Sequence, residues 1–448
     1  MTLFSIRSVT TRETSAPTAG LGSARRASRT TRPLAVAVTC GWLMLLAMTT
    51  LSPQAGVLFD DEVAFLDNTR LLERCGLGPE FLRGMHGQAP GPLLNAMHAV
   101  LDPVTGLALP GVRVVHLLLL PVLAAALHRL LRPSRPDAAL PLTLAFAAIP
   151  MLWHVSGYVC SELPALIAAV AGMLLLLGGL GRLGPTPRAA APSVAAAAAV
   201  AGGLCYGAAI LGRATFLGPL ACLPLLLRGA VGPRRDAGLL IAFAAAALAV
   251  SAPVFAVWRG LVPPQQAFVG HGVEPWHLVL SLAYGFLIAL LVAPRWLSLD
   301  RGMLAAMATG AAVAFIVNLC WTHVTYRPLA GVAGRLLPEA GLRLYDHAMP
   351  APIAALALGM LLAGGRAVGR HADDGRMLFL LAAGFAMLAS AVKITHQFAS
   401  AYALQSLPFL ALPISVVSTV GRWDVVRIVV GMLLGLAAHA SWLAALRG

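Results

Sequence analysis

Long apolar runs constrain this chain more than any other feature. Stretches such as ELPALIAAVAGMLLLLGGL (162–180) and GLLIAFAAAALAVSAPVFAVW (238–258) continue for about twenty residues with almost no charge. That is the length an α-helix needs to cross a hydrocarbon core about 30 Å thick. Of the whole chain, 59% is hydrophobic and 11% is charged, against roughly a quarter charged in ordinary soluble domains. A soluble globule could not hide that much apolar surface, and disordered, collagenous and disulfide-scaffold chains are excluded as well. A membrane barrel would need alternating apolar and polar residues, whereas these runs are continuous. The expected fold is an all-α polytopic membrane protein.

About 13 transmembrane helices are predicted, near 34–52, 112–131, 138–155, 162–181, 191–211, 214–228, 237–257, 277–294, 302–320, 349–365, 377–392, 401–419 and 428–446. Residues 1–33 are expected to form a disordered basic tail on the cytoplasmic side, and 34–448 a single transmembrane domain. The net charge of +14 arises from 32 basic residues. Most arginines sit in short connectors, and an inside N-terminus puts the larger share of them in the cytoplasm, as the positive-inside rule requires. This distribution explains the charge without nucleic acid as a partner. The expected location is the inner (plasma) membrane. Most acidic residues and histidines then fall on the outer side, where chemistry is expected. The six cysteines form no CxxC pair, so neither zinc nor redox chemistry is indicated. His271, Glu274 and His277 in HGVEPWH match no metal-protease spacing. No cofactor is expected, and a divalent cation is not indicated.

The segment 53–111 is the longest that does not span. It opens with LFDDEVAFLDNTRLLERCG, in which Phe59, Val63, Leu66, Leu71 and Leu72 recur at roughly helical spacing. This predicts a helix lying in the membrane interface, with a second short helix through PLLNAMHAVL. Asp60, Asp61 and Glu62 follow the first span by a few residues. Acids there suit a helix N-terminus, where Asp60 or Asp61 could cap. Carboxylates held at a membrane surface are also partly desolvated, which moves them toward the range of a useful base.

This arrangement resembles the GT-C glycosyltransferases, in particular the protein O-mannosyltransferase-like and aminoarabinose-transferase-like branches. The resemblance rests on FDDEVAF (59–65), HGQAPGPLL (86–94), GYVCSELPALIAAVAGMLLLL (157–177), AGGLCYGAAILGRATFLGPLACLPLLL (201–227) and HQFASAYALQSLPFLAL (396–412), in that order. The late motif departs from the family pattern: Ala401 precedes Tyr402 where a basic residue is common. The resemblance implies a polyprenyl-phosphate-linked sugar as donor and a lipid, glycan or protein as acceptor. It also implies inverting transfer on the outer face. An acid in the first outer loop serves as base, with Asp61 the first candidate and Glu62 and Asp60 the alternatives. Arg213 is the leading partner for the donor phosphate, followed by Lys393 and His396. Glu162, Ser161, His86 and Tyr402 are expected to support the site. The competing readings are a multi-span secondary transporter, which would call for mid-span acids or an internal repeat, and a non-catalytic export subunit.

Overall fold

Proline and glycine decide which apolar runs become straight helices. The computed structural model describes residues 20–52, 56–184, 190–230, 232–270, 272–327, 333–334, 336–395, 398–418 and 421–445. The described elements are all helical. In chain order the α-helices are α1 Gly20–Leu51, α2 Asp60–Cys75, α3 Pro79–Gly84, α4 Leu93–Thr105, α5 Gly111–Leu131, α6 Ala139–Ala147, α7 Pro150–Ser156, α8 Glu162–Gly179 and α9 Pro192–Gly212. They continue with α10 Pro233–Trp258, α11 Pro275–Val292, α12 Pro294–Leu297, α13 Arg301–Val317, α14 Glu339–Ala348, α15 Pro350–Arg370, α16 Gly375–Ser390, α17 Leu407–Ser415 and α18 Arg422–Ala445. Eight of these helices (α3, α7, α9, α10, α11, α12, α15, α17) carry proline at the first or second position, where its missing N–H costs nothing.

Ten helices among the described residues are long and apolar enough to cross a membrane, or eleven if one bent pair is counted as a span. The expected count of thirteen is not confirmed. The predicted span 138–155 is the bent pair: α6 and α7 meet at 62°, with Pro150 unable to continue the helix of the preceding residues. The predicted span 214–228 is a 3₁₀ helix, Ala214–Leu227, with Pro219 and Pro224 inside it. The predicted span 401–419 is a 3₁₀ turn, Ser400–Ser406, running into α17 with Pro408 and Pro413. A proline removes the donor for the i→i−4 bond, so these apolar stretches are irregular despite their hydropathy. The expected disordered tail is also corrected in part, since α1 is helical from Gly20. Residues 1–19 lie outside the described residues.

Helices α8, α9 and α10 lie side by side and form one wall. Gly203 and Gly207 let α9 approach α10: a Cβ at either position would sit 2.3 Å from the Phe243 carbonyl oxygen or 2.6 Å from that of Ala247. This is the small-xxx-small contact that membrane helices use where no hydrophobic drive exists between them. Helix α16 packs on the 3₁₀ helix Ala214–Leu227, α15 joins α11 to α13, and α18 lies against α1 and α7. The segment 56–110 closes the end of the bundle at which α1 terminates.

A buried pair of histidines fastens α4 to α5. His98 Nε2 and His116 Nε2 are 3.1 Å apart, so one ring donates to the other, and their rings stack at 5.2 Å. Burial holds the His98 imidazole down to about 4. The native pair is therefore neutral at a pH where the unfolded chain has begun to bind protons, and stability is lost as the pH falls from about 6.5 toward 4. A loss of about 2 kcal/mol at pH 5 is expected, seen as a falling thermal midpoint in detergent and flattened in His98→Gln.

Candidate active site

The site is built from the first outer loop inward. Asp60, Asp61 and Glu62 form the first turn of α2, where the helix dipole favours negative charge. The N-cap is Phe59, not one of the acids, and its side chain makes no capping bond. The Asp60 side chain lies outside what the structure describes. The predicted interfacial stripe is corrected too. Val63 is 40% exposed, while Phe65, Leu66, Asn68, Thr69 and Leu72 are buried. Helix α2 thus turns a mixed face onto α3 and α4.

Three amides fill that face and hold the HGQAPGPLL turn. Asn68 Nδ2 donates to the His86 carbonyl at 2.7 Å and to Gln88 Oε1 at 3.0 Å, and Asn68 Oδ1 accepts from the His86 N–H at 3.1 Å. Gln88 Nε2 donates to Asn95 Oδ1 at 2.9 Å, and Asn95 Nδ2 donates to the Phe65 carbonyl at 2.9 Å. A satisfied buried network of this kind specifies one geometry, because any break strands a polar group. The far side of the turn meets α9 at Gly91, where a Cβ would lie 2.2 Å from the Leu211 carbonyl oxygen. Gly91→Val is expected to cost about 1–3 kcal/mol through overpacking, measured as a lower thermal midpoint, while Gly56→Val, which meets nothing within 4 Å, serves as control.

Glu62 is fully buried and fully engaged. Arg113 Nε donates to its Oε1 at 2.9 Å and Arg113 Nη2 to its Oε2 at 2.6 Å. The Val159 N–H adds a bond to Oε1 and the Phe59 N–H one to Oε2, each at 2.9 Å. Neither Glu62 nor Arg113 has any exposed side-chain surface. Arg113 lies over the Trp442 ring at 5.4 Å and also donates to the Val57 carbonyl at 2.6 Å. This one carboxylate therefore ties the start of α2 to α5 and to the 157–161 segment. Glu62 has the geometry of a fastening, with its lone pairs directed at four donors.

Asp61, one residue earlier, is exposed. Its charge acts on the phenols of Tyr158 and Tyr402. Arg213 stands in the same neighbourhood. It ends α9 in an extended conformation, pairs with Glu162, and lies 5.7 Å from the Tyr402 ring centroid. Glu162 opens α8 and is buried. Ser161 before it is also buried, and its Oγ has no hydrogen-bond partner; Arg213 Nε is likewise buried without one. Burial, and then the Glu162 charge, push the Cys160 thiol well up, so it is not a thiolate nucleophile.

The fold thus gathers Asp61, Ser161, Glu162, Arg213 and Tyr402 from four separate segments of sequence. His86 lies at the rim, exposed, with Nδ1 3.3 Å from the Gly84 carbonyl. Lys393 is exposed and donates to the Gly272 carbonyl at 3.1 Å. No contact among the described residues joins it to Arg213; further along the chain, the Phe398 ring meets Tyr402 with centroids 5.8 Å apart. His396 and His271 lie outside the described residues. Glu274 caps α11 by accepting from the Trp276 N–H, and His277 Nδ1 lies 2.6 Å from the Ile394 carbonyl. No group of three or more His, Cys, Asp or Glu side chains among the described residues is placed to hold a metal ion. Sequence reasoning passed over Arg113, Tyr158 and Trp442. The signal for Arg113 was present: a lone charge at the start of an apolar span is costly unless it is paired.

No family model matches the sequence, and no curated protein matches it. Among solved structures, the chain is similar to the crystal structure of ArnT from Cupriavidus metallidurans bound to undecaprenyl phosphate. The identity is 14% and the TM-score 0.44, over 91% of this chain and 76% of that one.

Proposed function

We propose that this multi-pass membrane protein is a glycosyltransferase of the GT-C type, moving a sugar from a polyprenyl-phosphate donor to an acceptor hydroxyl or amine. The observation that carries the reading is that an exposed carboxylate, Asp61, and the Glu162-paired guanidinium of Arg213 both act on the Tyr158 phenol, at the loop-bearing end of the bundle. Inverting transfer needs that pair: a base on one side of the anomeric carbon and a positive charge on the other. Asp61 takes the acceptor proton as the acceptor oxygen or nitrogen forms its bond to the anomeric carbon. The bond from that carbon to the phosphate oxygen breaks, and the phosphate leaves with the electron pair toward Arg213. No enzyme nucleophile takes part. Glu62 holds Asp61 in place through Arg113, and Asp60 belongs to the same helical turn. Glu162 orients Arg213, Tyr402 stacks against it, and His86 stands at the rim. Lys393 and His396 are the second choice for the donor phosphate. The acceptor is a lipid, a glycan or a protein, and the site faces the outer side of the inner membrane.

The test is a transfer assay on purified protein in nanodiscs, offering a panel of polyprenyl-phosphate sugars with acceptor extract. Release of free polyprenyl phosphate together with movement of the sugar is the expected result. Solute flux in sealed vesicles with no donor cleaved would replace this reading with a carrier.

A further inference from the structure

Three polar groups near Arg213 lack protein partners, and each for a physical reason. Ser161 is the N-cap of α8, and an N-cap serine ordinarily accepts from the N–H of N2 or N3. Here N3 is Pro164, which has no N–H, and the structure shows no side-chain cap. The Ser161 hydroxyl is left buried and unpaired. Arg213 directs Nη2 to Glu162, leaving Nε buried and unpaired. The third is Tyr158. Its ring is fixed against His154 at 5.1 Å and Trp442 at 5.3 Å, and Trp442 is itself under Arg113. Its hydroxyl makes no hydrogen bond to any described residue, whereas Tyr206 donates to the Phe216 carbonyl and Tyr284 pairs with Tyr326. Yet the Tyr158 phenol lies within electrostatic reach of Glu162, Arg213 and Asp61. A packed phenol with no hydrogen bond to a described residue, within electrostatic reach of a guanidinium with a buried spare donor and three residues from a buried unpaired serine, offers donors to an acceptor.

We infer that the Tyr158 and Ser161 hydroxyls, with Arg213 Nε, form the cradle for the phosphate of the lipid donor, at the N-terminus of α8. The inference rests on the glycosyltransferase reading. Donors gathered beside the first residue of α8, where Arg213 pairs with Glu162 and Ser161 is the N-cap, suit a tetrahedral anion, and the N-terminal end of an 18-residue helix adds its dipole. Burial, helped by the charges of Glu162 and Asp61, pushes the Tyr158 phenol well above its ordinary value. It therefore stays protonated and donates, and does not compete with Asp61 for the acceptor proton. The cradle would hold the phosphate in the ground state and receive its second charge as the glycosidic bond breaks.

The experiment measures binding of undecaprenyl phosphate and of undecaprenol to the full chain in nanodiscs. Wild type is expected to prefer the phosphate. Tyr158→Phe keeps the ring and its packing, so its thermal midpoint should match wild type, while its affinity for the phosphate drops about tenfold, as for loss of a hydrogen bond to a charged group. Ser161→Ala should behave the same way, and neither variant should change undecaprenol binding. Wild-type affinity for the phosphate in both variants would overturn the cradle and leave the glycosyltransferase reading standing. A wild type that binds phosphate and alcohol equally would overturn both.

Discussion

Asp61→Asn should lower the turnover number by about 10²–10⁴-fold, the usual contribution of a positioned general base. Asn keeps the size of the side chain and its place in the first turn of α2, so folding and donor binding are expected to stay within a few-fold of wild type. The loss should appear in kcat and be nearly absent from binding of polyprenyl phosphate. Glu62→Gln separates the two acids. Glu62 lies between Arg113 and two backbone donors with no exposed surface, so neutralising it should lower the thermal midpoint and activity together. Activity lost without a stability change marks a base; both lost together mark a fastening. A rate for Asp61→Asn above a tenth of wild type, with Glu62→Gln inactive but stable, would reverse the assignment.

Arg113→Met should cost about 3–5 kcal/mol of stability, because it leaves the Glu62 charge buried without its counter-ion. The pair itself need not be strongly favourable, since burying both ions is expensive and their attraction only repays that cost. The decisive comparison is therefore the double variant, Glu62→Gln with Arg113→Met. It removes both charges while the Gln amide oxygen still accepts from one of the backbone N–H groups. It should recover at least half of the single-variant loss in a thermal midpoint measured in detergent. Equal losses in the single and double variants would mean that the two side chains do not act as a pair. A recovered double variant should also regain activity in proportion, if Glu62 acts only by holding α2 against α5 and the 157–161 segment.

The membrane class and most of the helices were legible in the sequence, because twenty apolar residues in a row leave few alternatives. Helices α5, α8, α9, α10 and α16 begin or end within a few residues of the predicted spans. The three irregular stretches misled for a shared reason. Hydropathy weighs side chains, while Pro150, Pro219, Pro224, Pro408 and Pro413 act on the backbone donors. Within the loop, the apolar stripe misled because the buried face of α2 includes Asn68 and Thr69, whose polarity is answered by the Phe65 carbonyl and, some twenty residues on, by the His86 backbone, Gln88 and Asn95. At the site, Asp61, Glu162, Arg213 and Tyr402 were each visible as charges or rings at span ends. Their meeting was not visible, since it depends on how α2, α8, α9 and the Ser400–Ser406 turn are placed. Tyr158 carries no sequence signal at all: an unused hydroxyl shows itself only when its neighbours are known.

The 3₁₀ helix that starts one residue after Arg213 changes what residue number means as a ruler. Fourteen residues at the 3₁₀ rise of about 2.0 Å cover about 28 Å, the reach of roughly nineteen residues of α-helix. The rod is slimmer and turns three residues per lap. Removing one residue would draw Arg213 about 2 Å toward the far end and rotate it by about a third of a turn. An α-helical linker would respond with a smaller step and a smaller rotation. The position of the guanidinium is thus geared to the length of this segment more steeply than an α-helix would gear it.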